Sequence, residues 1–340
     1  MLNTANPIHW LKANGSSFDI GSQMGQQGRE AVHTHLIESE IWATITSDCH
    51  AEQVTRLLEN VNTLFPDIFE ELLGLADGLQ LPFTDVAAWN FRGDIKTSVP
   101  DGCTTIQAPG PDIKLSHNED GLPFFRGHCF ILDAQPAATV GFRAFCYPGS
   151  LAGHTFGWND AGLVQTVNNL RLQDVDAAVG RMVLGRAVLN STTLDGAIEV
   201  LSANRNSGGF HMTLAQVGNP KLMSIEYGAG KFSAIEITDR TAHSNHALHL
   251  QDVTQIVTQS SGDRQARCDH LVREDIVGDL EILRDNKGPR LPVRRDDPQD
   301  PDNENTLATC VFNVSNTGVE WRIYGEKDGQ PEHEGQSETS

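Results

Sequence analysis

Apolar positions recur every three or four residues through much of the first hundred positions of the chain. Leu36, Ile37, Ile41 and Ile45 form one such series, and Val54, Leu57, Leu58, Val61 and Leu64 form another; this spacing gathers apolar side chains on one face of an α-helix. FPDIFEELLGLADGLQLP obeys the same rule, with Pro66 suited to a first turn, Glu70 and Glu71 near it, and Gly78 placed to close the end. From Cys103 the texture changes to short β-rich runs separated by Gly, Pro, Asn and Asp: CTTIQA, HCFILDA, TVGFRAFCY, GLVQTVNN, FHMTLAQV, KLMSIEY and KFSAIEIT. Gly218-Asn219-Pro220 is a turn signal between two of them.

Within this strand-rich part, Asp174 to Asn190 and Thr192 to Asn204 carry helical spacing (Val179, Met182, Val183 and Arg186, then Leu194, Ala197, Ile198 and Leu201) and are expected to cover a sheet face. Arg284 to Thr306 is polar, charged and proline-rich, which predicts a loop. Two strands, LATCVFNVS and GVEWRIYG, follow it, so it is an excursion from the fold rather than a linker. The closing GQPEHEGQSETS reads as a frayed tail. Strands that run together with helices grouped between them predict an α+β fold rather than an alternating parallel sheet.

Composition narrows the function classes. The chain has 340 residues, 39% of them hydrophobic and 21% charged, values of a globular enzyme with one large core or two intimately packed layers. Lys and Arg number 25 against 45 Asp and Glu, a formal net charge of −20, which repels phosphate backbones and anionic lipid and argues against nucleic-acid and membrane partners. The start MLNTANPIHWLKANG lacks a basic segment followed by an apolar one, and no uncharged apolar run reaches about 20 residues, so a cytoplasmic location is expected. Cys49, Cys103, Cys129, Cys146, Cys268 and Cys310 form no CxxC pair and are expected as reduced, buried thiols, Cys103 being the one that invites chemistry.

Cys103 stands in VPDGCTTIQAPG, behind a conformationally permissive Gly102 and ahead of the hydroxyls of Thr104 and Thr105. That setting suits a peptide bond attacked by its own thiol. Attack of Cys103 on the Gly102 carbonyl would form a thioester, and its hydrolysis would leave Cys103 as a new N-terminus. A free α-amine, with a pKa of about 7.7–8 against about 8.5 for a thiol, then accepts the thiol proton without a histidine. The local pattern also fits plainer roles: a buried hydrophobe at Cys103, a strand residue at Thr105, a turn at Asp120-Gly121, and a loop residue at Asn245. His243, His246 and His249 crowd together near His270, but their spacing matches neither HExxH nor a Cys/His pair set, so no metal or other cofactor is expected. GSQMGQQG lacks the Gly-Lys-Ser/Thr of a phosphate loop and is read as helix packing or a turn.

Five motifs, DGCTT (101–105), HNED (117–120), GWNDAGLVQTVNNL (157–170), HSNH (243–246) and TLATCVFN (306–313), occur in the order found in the acyl-CoA:6-aminopenicillanic acid acyltransferase family. DIGSQMGQQGRE and EELLGLADGLQLPFTDVAAWNFRGD are similar to the family's Gly-rich start and its Glu-Leu-x-Gly-x-Ala-x-Gly helix, so the resemblance runs from about Phe18 to Gly325. It implies a self-processing N-terminal nucleophile (Ntn) hydrolase with a four-layer αββα sandwich, cut into residues 1–102 and 103–340 that stay associated. By the same resemblance Cys103 is the nucleophile, Gly102 the cleaved side of the bond, Thr105 and Asp120 assist processing, and Asn245 helps hold the oxyanion. Asn118, Glu119 and His246 are further polar candidates.

This chain departs from the family in two places. It has Asn118-Glu119-Asp120 where the family often has Asn-Trp-Asp, and Asp302-Asn303 where the penicillin enzymes carry Ser-Arg. The missing cation argues against a substrate carboxylate held there. The expected activity is cleavage or transfer of the acyl group of small N-acyl or aminoacyl amides through a Cys103 thioester, with a small-molecule amide or acyl thioester as partner. The alternatives are an inactive binding protein of the same fold, or a Cys/His hydrolase using His117 or His246 without self-cleavage.

Overall fold

The computed structural model describes residues 7–96, 102–287, 290–325 and 328–338. Asp101 of the DGCTT motif lies outside the described residues. Strand β1 (His9–Gly15) opens the chain and is followed by α1 (Ser17–Ala31), α2 (Glu40–Ile45), α3 (Ala51–Leu64), α4 (Pro66–Leu79), α5 (Phe83–Asn90) and α6 (Arg92–Ile95). The first part is therefore helical as the periodicity predicts, with one strand ahead of it, although the Leu36–Ile45 series is split, α2 starting anew at Glu40 behind its Ser39 cap. HWLKANG has too few apolar residues to announce a strand, and its order comes from parallel pairing with a distant partner.

The glycines of GSQMGQQG and of the LLGLADGL segment explain one another. Gly21 and Gly25 on α1 face Gly74 and Gly78 on α4 so closely that a Cβ on Gly25 would lie 2.5 Å from the Leu75 carbonyl oxygen and 2.7 Å from Gly78 Cα. Gly78 is thus a packing residue and not the helix stop expected of it. Gln80 ends α4 instead, with φ 58°, its N–H returning to the Ala76 and Asp77 carbonyls.

The chain continues with β2 (Gly102–Ala108), β3 (Ile113–Gly121), β4 (Phe130–Pro136), β5 (Phe142–Cys146), β6 (Gly157–Asn159), β7 (Leu163–Leu170), α7 (Arg181–Val188), α8 (Leu194–Ala203), β8 (Gly209–Gln216), β9 (Met223–Gly228), β10 (Lys231–Glu236), β11 (Thr241–His243), α9 (Gln259–Glu274), α10 (Asp279–Leu283), β12 (Asn305–Val314), β13 (Gly318–Tyr324) and β14 (His333–Glu338). The expected helix from Asp174 begins only at Arg181, because Asp174 is left-handed (φ 56°) and the Ala178 N–H pairs with the Asn206 carbonyl. The expected frayed tail contains β14, paired antiparallel with β13.

The strands form an eight-stranded sheet in the order β1-β4-β5-β6-β7-β8-β9-β10 and a six-stranded sheet in the order β11-β2-β3-β12-β13-β14. Their faces meet: Gln107 Nε2 donates to Thr213 Oγ1 at 2.7 Å, and the Trp158 and Phe312 rings lie 5.4 Å apart. Helices α1 and α8 pack against the larger sheet, α4 lies on α1, and α9 and α10 pack against the smaller. The fold is α+β with two sheets, an arrangement compatible with a sandwich. Among the described residues no helix is long and apolar enough to cross a membrane.

The described residues of the Arg284–Thr306 excursion are irregular up to β12, yet Arg294 and Arg295 within it are buried. All six cysteines are free; five are buried and Cys49, in the short turn Asp48–His50, is exposed.

Candidate active site

β2 begins at Gly102 and runs antiparallel to β3, so Gly102 stands opposite Asp120, Cys103 opposite Glu119, Thr104 opposite Asn118 and Thr105 opposite His117. Alternation along a strand then sorts the HNED motif by face. His117 and Glu119 share the face of Cys103 and Thr105, whereas Asn118 points the other way, donating to the Leu283 carbonyl at 2.8 Å and accepting from Thr309 at 2.6 Å. The motif is strand and not the turn that Asp-Gly suggested. Its Asp120 accepts from Thr306 Oγ1 at 2.6 Å, and its other carboxylate oxygen is buried without a partner among the described residues.

Cys103 is buried, and the Asn245 side chain brackets it. Asn245 Oδ1 accepts from the Cys103 backbone N–H at 2.9 Å, and Nδ2 donates to Cys103 Sγ at 3.1 Å. The amide is itself oriented: Nδ2 also meets the Asn169 carbonyl at 3.2 Å, and Arg264 Nη2 donates to Oδ1 at 2.5 Å. Arg264 Nη1 donates to the Cys103 carbonyl at 2.5 Å and to Thr104 Oγ1 at 2.8 Å. One guanidinium therefore fixes both the strand and the amide beside the thiol.

His246 stands one step further out. Ser261 Oγ accepts from the Asn245 backbone N–H at 2.9 Å and shares a hydrogen bond with His246 Nδ1 at 2.8 Å, so His246 supports the Asn245 loop.

Behind the thiol lies a buried polar chain between the two sheets. Thr105 Oγ1 meets Asn168 Oδ1 at 2.7 Å and His117 Nδ1 at 2.8 Å. His117 Nε2 meets Glu119 Oε2 at 3.0 Å, and the Tyr147 hydroxyl donates to Glu119 Oε1 at 2.5 Å. Burial pushes the His117 imidazole down to about 3, so it is neutral at neutral pH. The Cys103 sulfur, a His117 ring nitrogen and a Glu119 oxygen lie within 4.8 Å of one another. That spacing would suit a thiophilic cation; here both ring nitrogens of His117 are hydrogen-bonded, to Thr105 and to Glu119.

The histidines that crowd the HSNH region are also spoken for. His243 bonds Glu226 at 2.7 Å and stacks on His211 with centroids 3.4 Å apart, while His249 bonds Ser224 and Ser233.

Gly102 borders a buried charge cluster. A Cβ there would collide with the Glu304 carboxylate, which pairs with Arg295 and Arg171. A side chain at this position would have to displace that ion-paired carboxylate. Burial raises the Glu304 carboxyl to about 7 against the pull of both arginines. Arg295 also reaches Asp300 and Asp302. A cation does stand beside Asp302, contributed by Arg295, and it is engaged by three acids.

The sequence motifs thus bring Gly102, Cys103, Thr105, Glu119, Asp120 and Asn245 to one place, with Asn118 turned away. Arg264, Tyr147, Arg295 and Glu304 carried no motif. Arg264 was findable only from the buried series Ser261, Arg264, Gln265, Cys268 and Leu271 on α9, whose spacing is helical but whose polar members conceal it.

A family model described as acyl-coenzyme A:6-aminopenicillanic acid acyl-transferase matches residues 109–328, a span that contains Asn118, Glu119, Asp120 and Asn245 and starts after Cys103. No curated protein matches the chain.

Proposed function

This chain belongs to the acyl-coenzyme A:6-aminopenicillanic acid acyl-transferase family, and from that premise we propose that it is a self-processing cysteine Ntn hydrolase with the four-layer αββα sandwich, acting on small N-acyl or aminoacyl amides. Cys103 attacks the Gly102 carbonyl, the Gly102–Cys103 C–N bond breaks, and its nitrogen takes up the thiol proton. Water then hydrolyses the thioester, leaving a Gly102 carboxylate, a free thiol and a free α-amine. The products are residues 1–102 and 103–340, which stay together because the amphipathic helices of the first would otherwise expose their apolar faces.

In turnover the α-amine of Cys103 takes the thiol proton, the sulfur attacks the acyl carbon of the substrate, and the amine leaves. The thioester passes its acyl group to water or to a second amine. The Asn245 amide donates to the oxyanion, a contact of a kind worth about 10²–10³ in rate. Asp120 and Thr105 assist the cut from either side of β2. The acidic surface favours a neutral or cationic amine over a polyanionic substrate, and the three acids already on Arg295 argue against a substrate carboxylate there.

The observation that carries this reading is the Asn245 side chain holding the Cys103 N–H with one end and the Cys103 sulfur with the other. A pure binding protein has no use for that arrangement. The test is intact-mass spectrometry of the denatured protein beside Cys103→Ala. Two fragments meeting at Gly102/Cys103 in the wild type, with a single uncut chain in the variant, is the expected result; one intact wild-type mass after long incubation overturns it.

A further inference from the structure

We propose that the buried His117–Glu119 pair accepts the Cys103 thiol proton while the chain is still uncut, so that self-cleavage and turnover use different bases; this rests on the self-processing reading above. Before the cut, the nitrogen of Cys103 is an amide whose N–H is donated to Asn245 Oδ1. It has no basic lone pair, and the α-amine that serves in turnover does not yet exist. On its other side the sulfur receives a hydrogen bond from Asn245 Nδ2, so that amide cannot take a proton. Among the described residues, His117 and Glu119 bring acceptors close to the sulfur, with all three ligating atoms within 4.8 Å of one another.

The hydrogen-bond network assigns the protons of the pair. Asn168 Nδ2 donates to the His243 carbonyl at 3.1 Å, which turns Oδ1 toward Thr105 and His211. The single hydroxyl proton of Thr105 is therefore given to Asn168. The 2.8 Å contact between Thr105 Oγ1 and His117 Nδ1 then requires a proton on Nδ1. Nε2 carries the ring's lone pair, facing Glu119 Oε2 at 3.0 Å, and one proton lies between them. Tyr147 donates to the other carboxyl oxygen and holds it in place.

The step balances without any further reactant. The thiol proton moves onto the Glu119 carboxyl as the shared proton settles on His117 Nε2. The Sγ–C bond to Gly102 forms, the C–N bond to Cys103 breaks, and the departing nitrogen takes one proton back from the pair, which returns to its starting state. The position opposite Cys103 on β3 is where this chain carries Glu119, a residue that can relay a proton.

Among the described residues, the ionisable groups near the pair include Tyr147, Cys129, Cys310 and His211, with Asp120 next along β3 and Arg264 on the far side of Cys103. Burial holds both thiols far up and His211 far down, and the guanidinium stays charged. The His117 imidazole is itself neutral above about 3, so it does not change charge across the neutral range.

The test is the pH profile of first-order self-cleavage of the full chain, made by brief cell-free synthesis, quenched at intervals and read by intact mass. The wild-type rate is expected to be flat between about pH 5.5 and 8. In Glu119→Gln and His117→Gln the rate is expected to fall by about 10²–10⁴ and to rise roughly tenfold per pH unit, because hydroxide must then remove the thiol proton. Glu119→Asp should recover the flat profile in part. A merely structural role lowers the rate by the same factor at every pH and leaves the profile flat, which overturns the proposal. So does a wild-type rate that itself climbs tenfold per pH unit, an outcome that needs no variant to fold. A wild-type chain that is never cut at any pH refutes the self-processing reading and this inference together.

Discussion

Asn245 separates the chemistry of the site from its architecture when replaced in two ways. Its side chain makes four contacts: it accepts from the Cys103 N–H and from Arg264 Nη2, and donates to Cys103 Sγ and to the Asn169 carbonyl. Asn245→Ala removes all four and leaves the buried Cys103 N–H, the Asn169 carbonyl and one arm of Arg264 without this partner. Loss of a buried hydrogen-bond partner costs about 1–3 kcal/mol. Arg264 keeps the Cys103 carbonyl, Thr104 and Ser260, so the expected loss of stability is about 2–5 kcal/mol rather than the full sum.

Asn245→Asp keeps both accepted bonds and strengthens the one from Arg264, but turns an acceptor toward the sulfur and toward the Asn169 carbonyl. Its stability loss should be the smaller of the two. Both variants lose the donor, so both should lower the rate of self-cleavage by about 10²–10³. Urea denaturation of each variant in a Cys103→Ala background, which keeps every chain uncut, measures the first effect. Intact mass against time in the Cys103 chain measures the second. An aspartate variant that cuts at the wild-type rate would sink the role given to the Asn245 donor.

Three further outcomes follow from the geometry. Gly25→Ala on α1 should destabilise by about 1–3 kcal/mol through overpacking, because its Cβ meets only backbone atoms of α4 at 2.5 and 2.7 Å; the helix propensity of alanine offsets at most about 1 kcal/mol of this. Gly262→Ala on α9, with nothing within 4 Å, should be neutral or stabilising by up to about 1 kcal/mol, and a reversed order of the two denaturation midpoints would refute the packing account. Glu226 is the third case: burial alone would raise its carboxyl, but hydrogen bonds from His243 and the Leu248 N–H outweigh it and hold the group at about 2, below its ordinary 4.5. Its contribution, about 3 kcal/mol, is fully present above pH 4.5 and is lost as pH falls toward 2. Glu226→Gln should therefore be less stable than wild type at pH 7 and converge with it in acid, and parallel stability curves would contradict the assignment.

Arg264 should tolerate lysine poorly. A single ammonium cannot reach the Cys103 carbonyl, Thr104 and Asn245 at once, so Arg264→Lys should slow self-cleavage by at least about tenfold, read by the same mass assay, while far-UV circular dichroism stays unchanged.

The sequence by itself determined the division of the chain into a helical first part and a strand-rich remainder, because that division is written in local periodicity, which needs no partner to be read. It also determined that Gly102-Cys103 and Asn245 are the residues to watch, through the order of short motifs. Where an element draws its order from a distant partner, the local pattern is silent: β1 rests on its parallel pairing with β4, β14 on β13, and the left-handed Asp174 cuts short a helix that spacing alone would extend. The same limit hid α9, whose inner face mixes Ser261, Arg264 and Gln265, which serve the site, with Cys268 and Leu271, which join an apolar cluster, so its helical period is masked. Only the tertiary structure decided that Asn245 reaches across 142 positions to bracket Cys103. It also decided that of two adjacent residues, Asn118 and Glu119, the second shares the face of the thiol and the first turns its back on it. A strand alternates its side chains with every residue, so a motif read as a string is divided between two environments once its register is set.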